Sequence, residues 1–199
     1  ILIILFFLTL KVTAKEIPYI DLAKETDRQV IVDREKGQYL GHPTTILLND
    51  GKTVLCVYPK GHGRGPIVYK RSNDAGKTWS NRLPTPDNWS SSKEVPTLFQ
   101  VTDKEGNDRI IMFSGLYPIR MAVSNDEGKN WTGLKPIGEF GGIVAMGTMI
   151  SVKGKPGHYR ALFHDDGRFI SNKSKRTSPT RFTLYSSLSV DGGMTWGKP

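Results

Sequence analysis

The 199-residue sequence has little that could cross-link the chain, hold a metal through a short motif or span a membrane. Its single cysteine, Cys56, lies in the apolar run TVLCVY, which excludes a disulfide within the chain and predicts a buried, inert thiol. No HxH or HExxH spacing occurs, so we expect neither a metal nor a cofactor. His42, His62 and His164 could hold zinc only if the tertiary structure brought them together.

The N-terminal apolar run, ILIILFFLTL, ends at Lys11 and falls well short of the roughly 20 apolar residues that span a bilayer. It is followed by Val12-Thr13-Ala14, which has the small residues of a signal-peptidase site. We therefore predict a signal peptide at residues 1–14, a lead-in segment at 15–40 and a secreted or periplasmic protein without a stable membrane span. No later segment has sustained helical periodicity, which favours an all-β chain.

The charge balance is strongly basic, with a formal net charge of +9 and a pI near 9.6. Such a balance suits an acidic partner, for example a carboxylated or sulfated glycan. Nucleic acid is not expected as a partner, because no basic run is interleaved with aromatic residues and the protein is predicted to be secreted.

An eight-residue motif, Ser-x-Asp-x-Gly-x-(Thr/Asn)-Trp, occurs three times, beginning at Ser72, Ser124 and Ser189. The starts lie 52 and 65 residues apart, a spacing typical of one four-stranded sheet per repeat. The residue types predict a turn: the Asp side chain accepts from backbone N–H groups two residues on, and the Gly takes a positive φ. The Trp is expected to pack against the sheet of its own repeat.

Three β-rich runs precede each motif, and they predict three consecutive antiparallel sheets. The runs are Thr44–Leu48, Thr53–Tyr58 and Ile67–Arg71, then Val95–Val101, Arg109–Ser114 and Ile119–Ser124, then Gly147–Val152, His158–His164 and Phe182–Val190.

The alternating direction of antiparallel strands sorts the polar residues onto two faces. Loops between the second and third strands lie opposite the motifs, together with the connections between repeats. This face gathers three of the four histidines and several glycines, so we place the candidate site there; the alternative is that these are ordinary polar loops. Its segments are His42, Lys60–Pro66, Glu94, Gly115–Pro118, Gly141-Gly142 and His164–Arg168.

The three motifs resemble the Asp box of the sialidase (neuraminidase) superfamily, whose members are β-propellers. The resemblance covers most of the chain after about Gly41 and implies a six-bladed sialidase-type propeller, with about three blades at 41–199. It also implies action on a glycan, with three arginines holding the sugar carboxylate, an Asp as acid/base and a Tyr nucleophile activated by a Glu.

The sequence departs from the family pattern at the two positions that can be compared. Gly41-His42-Pro43 stands where the family has an Arg-Ile-Pro segment, so the first arginine is missing. Arg64 stands at the place of the acid/base Asp. The fold is therefore transferred from the family, whereas the residue roles are not.

Other groups on the same face could perform the chemistry. His62 and His164 could act as general acid or base near neutral pH, with Glu94, Asp165 or Asp166 as the partner carboxylate. For Asp165-Asp166-Gly167 the alternative is a tight turn capped by Asp. The residues expected to bind an anionic sugar are His42, Lys60, Arg64, Tyr117, Arg120 and Arg168.

The sequence thus predicts a secreted, exo-α-sialidase-like glycoside hydrolase that removes a terminal acidic sugar from a glycoconjugate. A glycan-binding propeller without turnover is one alternative, favoured by the two missing family residues. A glycosidase or lyase of other specificity that uses histidine is another, favoured by the Gly-His-Gly-Arg-Gly loop. A structural or protein-binding propeller is a third.

Overall fold

The computed structural model describes residues 17–171 and 181–199, which form an all-β structure. Residues 17–30 form a small unit of their own, with a 3₁₀ turn at Thr26–Arg28. Residues from Ile31 onward form a second unit, which contains the strands. The described residues include no helix of the length and hydropathy needed to span a bilayer. The predicted signal peptide lies outside the described residues.

Three antiparallel sheets follow one another along the second unit, which confirms the predicted all-β organisation. Each begins with three strands joined in chain order, close to the β-rich runs of the sequence. The strands are β1 (Thr44–Leu47), β2 (Val54–Pro59) and β3 (Ile67–Ser72), then β4 (Thr97–Thr102), β5 (Asp108–Ser114), β6 (Arg120–Ser124) and β7 (Lys135–Pro136), then β8 (Ile143–Ser151), β9 (Tyr159–Asp165) and β10 (Thr183–Ser189).

A fourth strand forms only in the second sheet, within the residues that the structure describes. The chain nevertheless leaves each motif in the same way, since the residue after the Trp donates its backbone N–H to a third-strand carbonyl. The donor and acceptor pairs are Ser80 and Arg71 at 2.9 Å, Thr132 and Val123 at 2.9 Å, and Gly197 and Leu188 at 2.8 Å.

Neighbouring sheets share their cores, because the central strands are apolar on both faces. In β5, Ile110 and Met112 join a cluster with Leu55 of the first sheet, whereas Ile111 and Phe113 join a cluster with residues of the third sheet. Successive residues of a strand point to opposite faces, so one strand serves both interfaces. The continuous apolar runs of the sequence follow from this double burial.

The motif turns are held by their own side chains. In the first, Ser72 donates to Asp74 at 2.8 Å, and the Thr78 hydroxyl and backbone N–H donate to the same carboxylate at 2.6 and 2.8 Å. The main N–H contact is thus four residues on, rather than two as predicted, because Gly76 turns the chain back at φ +86°. The other two motifs repeat this pattern around Asp126 and Asp191.

Two of the three motif tryptophans pack between sheets. Trp131 meets Tyr69 of β3 with ring centroids 5.9 Å apart, and Trp196 meets Phe113 of β5 at 5.5 Å. These two side chains contact the preceding sheet, which corrects the prediction that each Trp packs only against the sheet of its own repeat. Trp79, in the first motif, packs against a cluster of its own sheet that includes Cys56, as predicted.

Residues 31–40, the end of the predicted lead-in segment, pack on the free face of the first sheet. Val32 and Leu40 contact a cluster that includes Cys56, and burial raises the pKa of this thiol to about 11. Cys56 is therefore buried and poorly ionised, as the sequence predicted.

Asp33 of the same segment is ionised. Burial opposes ionisation of Asp33, yet hydrogen bonds from Arg82 and Tyr58 lower the pKa of its carboxyl to about 2.

Candidate functional site

Loops from all three sheets meet in one cleft on the face opposite the motif turns. The β2–β3, β5–β6 and β9–β10 loops contribute, as do the segments that lead into β1, β4 and β8. This is the grouping expected from the alternation of strand direction. Among the predicted residues, those that line the cleft are His42, Lys60, His62, Arg64, Glu94 and Arg168.

The cleft consists of two adjoining pockets. The first, here called the Glu94 pocket, has a volume of about 390 Å³, and Glu94, His42 and Arg168 line it. The second, here called the Lys60 pocket, has a volume of about 890 Å³ and contains Lys60 but not Glu94. The two share the side chains that lie between them: His62, Arg64, Lys93 and Leu116.

The β2–β3 loop, Lys60–Pro66, is a tight ring of backbone. Lys60 donates its N–H to the Pro66 carbonyl at 2.9 Å and so closes the loop. A Cβ at Gly61 would lie 2.5 Å from the Arg64 carbonyl, and one at Gly65 would lie 2.6 Å from the Lys60 carbonyl. The loop can therefore close only with glycine at both places, and it leaves the His62 and Arg64 side chains exposed.

Cations dominate the lining of the cleft. Lys60 is paired with Glu35 at 3.0 Å, and Arg168 Nε with Asp166 at 2.9 Å. The hydrogen bond to Asp166 raises the pKa of the Arg168 guanidinium. Arg64 and Lys93 have no carboxylate within ion-pair distance in the described part of the chain; the Lys93 ammonium lies 3.5 Å from the Tyr117 carbonyl. Two cations are thus available to an anionic ligand.

Glu94 is the one carboxylate among the described residues that line either pocket. Its Oε1 atom accepts the backbone N–H of Val95 at 2.8 Å. Glycines flank the side chain, because a Cβ at Gly63 would lie 3.5 Å from Oε1 and one at Gly115 would lie 3.0 Å from Cγ. Glu94 therefore sits in a narrow slot that fixes its orientation.

Two imidazoles stand beside each other in the cleft. The His42 and His62 rings meet edge to face at 4.7 Å, and Tyr39 stacks on His62 at 5.5 Å. Both histidines line the Glu94 pocket, so a general acid or base of the histidine type lies in the same cavity as the carboxylate.

Backbone strain is concentrated at this cleft. Five non-glycine residues among those that the structure describes have positive φ, and three of them, His42 at 54°, Leu116 at 60° and Val144 at 49°, line the Glu94 pocket. A β-branched residue such as Val144 is especially unfavourable there. Strain that the fold tolerates at a cavity is a physical sign of a functional site.

The segment 165–170, at the end of β9 and the start of the following loop, is held in shape by its two aspartates. Asp165 is 1% exposed and accepts the backbone N–H groups of Gly167, Phe169 and Ile170 at distances from 2.6 to 3.3 Å. Asp166 is 2% exposed and holds Arg168. This segment is therefore a tight turn capped by Asp, which was the alternative stated from the sequence. Neither carboxylate lines the cleft.

Three further predicted residues lie away from the two pockets. His164 is on the opposite face of β9 from Phe163 and packs edge-on against Phe182 at 5.1 Å. Arg120 donates to the Ser91 hydroxyl and carbonyl at 2.9 and 2.8 Å, and burial lowers the pKa of its guanidinium. Tyr117 contributes its carbonyl, not its ring, to the contact with Lys93.

Sequence reasoning missed Lys93, Val144 and Phe169, which also line the cleft, and it placed Leu116 on the site face without naming it as a site residue. Lys93 precedes Glu94 on the same connection, so the strand-direction argument that selected Glu94 could have selected it too. Leu116, Val144 and Phe169 have no chemical signal in the sequence. The described residues contain no cluster of His, Cys, Asp or Glu suited to a metal ion.

Comparisons with known proteins find structural relatives only. No family model and no curated protein matches this chain. The chain resembles a GH93 α-L-arabinofuranosidase of Fusarium graminearum solved with arabinobiose, with a TM-score of 0.56 and 16% identity over 84% of this chain and 50% of that one. It also resembles a protein of unknown function from Dyadobacter fermentans, with a TM-score of 0.52 and 18% identity over 84% of this chain and 56% of that one.

The chain thus spans about half the length of these two relatives. The TM-scores of 0.56 and 0.52 show a shared fold, whereas identities of 16 and 18% carry nothing about the chemistry, which has to be argued from the residues of the cleft.

Proposed function

We propose that the chain is part of a secreted, six-bladed β-propeller of the sialidase type, and that the cleft cleaves a terminal acidic sugar from a glycan. The three motif turns and the face-to-face packing of consecutive sheets support the propeller. Leu184, on the far face of the third sheet, is 71% exposed, and in a closed ring a further sheet would cover that face. The arabinofuranosidase relative supports a glycan as substrate.

The observation on which the chemistry rests is the meeting of His62, Glu94 and Arg64 in one pocket. Arg64 would neutralise the acidic group of the sugar. Of His62 and Glu94, one would protonate the glycosidic oxygen as the C–O bond breaks, and the other would take a proton from the attacking water. The hydroxyl of that water then remains on the sugar. Asp165 is unsuited to either role because backbone N–H groups occupy it.

The first experiment is to express the protein from its complete reading frame and measure the release of free sialic acid from a sialylated glycoprotein, followed by a panel of uronic acid glycans. We expect release of an acidic monosaccharide from at least one of them. The His62→Ala and Glu94→Gln variants should lose at least about 100-fold in rate, as is typical for removal of a general acid or base.

Matched controls lie on the motif face. His158 is a half-buried histidine in the β8–β9 turn, and Glu105 is an exposed carboxylate in the β4–β5 turn. The His158→Ala and Glu105→Gln variants should retain full activity. Equal losses in the cleft variants and in these controls would contradict the assignment of the site.

A histidine-dependent mechanism makes a further prediction for the pH profile of kcat/KM. We expect a bell shape with one limb that depends on His62, and this limb should vanish in His62→Ala. A profile that the substitution leaves unchanged would instead favour chemistry by carboxylates alone.

The second candidate function is glycan binding without turnover. The presence of one carboxylate, Glu94, in the described part of the cleft favours it, because glycoside hydrolases commonly use two. Binding of an acidic glycan with no product after prolonged incubation would establish this candidate and exclude the first.

A further inference from the structure

The Lys60 pocket has the features of a binding site in its own right. It is the larger of the two pockets, and the charged side chains that line it are three cations: Lys60, Arg64 and Lys93. The proposed cleavage uses groups of the Glu94 pocket. It gives the adjoining Lys60 pocket no role.

The geometry of two loops places Arg64 and Lys93 together. Gly65 donates its backbone N–H to the Ser92 carbonyl at 3.3 Å, and this bond joins the β2–β3 loop to the segment before β4. Arg64 precedes Gly65 and Lys93 follows Ser92, so both cations stand beside this bond. Their side chains line both pockets.

The segment before β4 is also anchored by hydrogen bonds. The Ser92 hydroxyl donates to the Glu94 carbonyl at 3.0 Å and lies 3.0 Å from the buried Ser114 hydroxyl at the end of β5. The two cations therefore project from backbone that the sheets hold in place. Like charges held side by side repel each other, and an anion between them relieves that repulsion.

From these features we infer that the Lys60 pocket binds a second anionic group of the same glycan chain. The inference rests on the proposed function, because the first acidic sugar is taken to occupy the Glu94 pocket. The substrate class would then be an oligosaccharide with acidic groups on at least two neighbouring sugars, carboxylated or sulfated. Arg64 and Lys93, at the junction, would contact both sugars.

The test compares ligands that differ in the number of acidic sugars. Binding of galacturonic acid, digalacturonate and trigalacturonate to the full-length protein would be measured by calorimetry. One added charge-assisted contact changes affinity by about tenfold or more, so we expect the dimer to bind at least about ten times more tightly than the monomer. A chondroitin disaccharide with and without its sulfate would show which anionic group the pocket prefers.

Lys60 is the residue to replace, since it lines this pocket and not the Glu94 pocket. Lys60→Gln should remove most of the advantage of the dimer and change the affinity for the monomer less than about twofold. Lys129→Gln is the matched control, because Lys129 is also paired with a glutamate, Glu127 at 3.5 Å, and lies on the motif face. It should leave both affinities unchanged.

The outcomes separate the inference from the proposed function. Tighter binding of the dimer that depends on Lys60, without any cleavage, would uphold the inference and defeat the hydrolase. Cleavage with equal affinity for monomer and dimer would uphold the hydrolase and overturn the inference. Equal effects of Lys60→Gln and Lys129→Gln would also overturn it, since a general loss of positive charge would then explain both.

Discussion

The motif face and the cleft face of this protein use polar residues in opposite ways. On the motif face, the carboxylates of Asp74, Asp126 and Asp191 each accept several hydrogen bonds from within their own turns. On the cleft face, Arg64 and Lys93 stand without a carboxylate partner among the described residues, and His42 is held at a positive φ. The comparison shows that the motif carboxylates are all committed to the fold, whereas some polar groups of the cleft face, Arg64 and Lys93 among them, are available to a ligand.

The largest expected effect is the loss of a motif tryptophan. Trp196 is 7% exposed and packs against Phe113 between two sheets, so Trp196→Ala should lower the free energy of unfolding by about 3–5 kcal/mol. Urea denaturation of the full-length protein measures this change. A loss below about 1 kcal/mol would mean that the motif is only a local turn and not a joint between sheets.

Acid should weaken the turns of the motif face. Hydrogen bonds from Thr78 and Ser72 lower the pKa of Asp74 from its ordinary 3.8 to about 2. A carboxyl with a lowered folded pKa stabilises the fold above its unfolded pKa and loses that contribution as the pH falls, here between about 4 and 2. Thermal melts across this range should show a falling midpoint, and the fall should be smaller in Asp74→Asn. An equal fall in both proteins would place the acid sensitivity elsewhere.

Relief of strain at the cleft should stabilise the protein at the expense of function. His42 is exposed and has a φ of 54°, a conformation that glycine adopts without penalty. His42→Gly should therefore raise the free energy of unfolding by about 0.5–1 kcal/mol and weaken glycan binding. Ala75→Gly, at a positive φ of 59° within a motif turn, is the control that should stabilise without touching binding. A His42→Gly variant that is less stable would show that His42 belongs to the fold.

The smallest expected change in stability comes from the exposed groups of the cleft. His62→Ala and Arg64→Ala should alter the free energy of unfolding by less than about 0.5 kcal/mol, because neither side chain has a described ion pair and both are exposed. The same substitutions should abolish binding or turnover. Calorimetric melts and binding titrations on the same samples measure both quantities, and a large loss of stability with retained activity would place these residues with the motif face.

Much of the fold was predictable because its signals are local. The apolar runs and the three motifs located eight of the nine predicted strands to within a few residues, whereas the ninth, β8, begins earlier than predicted. The predicted run from Gly147 missed Ile143 and its neighbours, because β8 contains an irregular register between Ile143 and Thr148. Where residues of a strand lack a partner on the neighbouring strand, the alternation of apolar and polar residues that marks a strand in the sequence is also interrupted.

The site was only partly predictable, because strand direction selects a face but not the partners on it. His62, Arg64 and Glu94 were correctly placed on one face, and the structure brings them into one pocket. Asp165 and Asp166 are carboxylates that could equally have served as catalytic groups, yet both accept hydrogen bonds from residues of their own loop. These bonds depend on where the N–H groups of the following residues point, and the residue types alone do not determine that direction.

The sequence by itself determined the motif turns and the antiparallel order of the strands, because both depend on contacts between residues that are close in the chain. Within a motif, the Gly76 N–H donates to the Ser72 hydroxyl and the Thr78 hydroxyl donates to Asp74, and each of these bonds joins residues four apart. Only the tertiary structure decided that Arg64 and Lys93 share one cleft and that Trp196 joins two sheets. Those contacts link separate repeats, and their existence depends on how one sheet packs on the next.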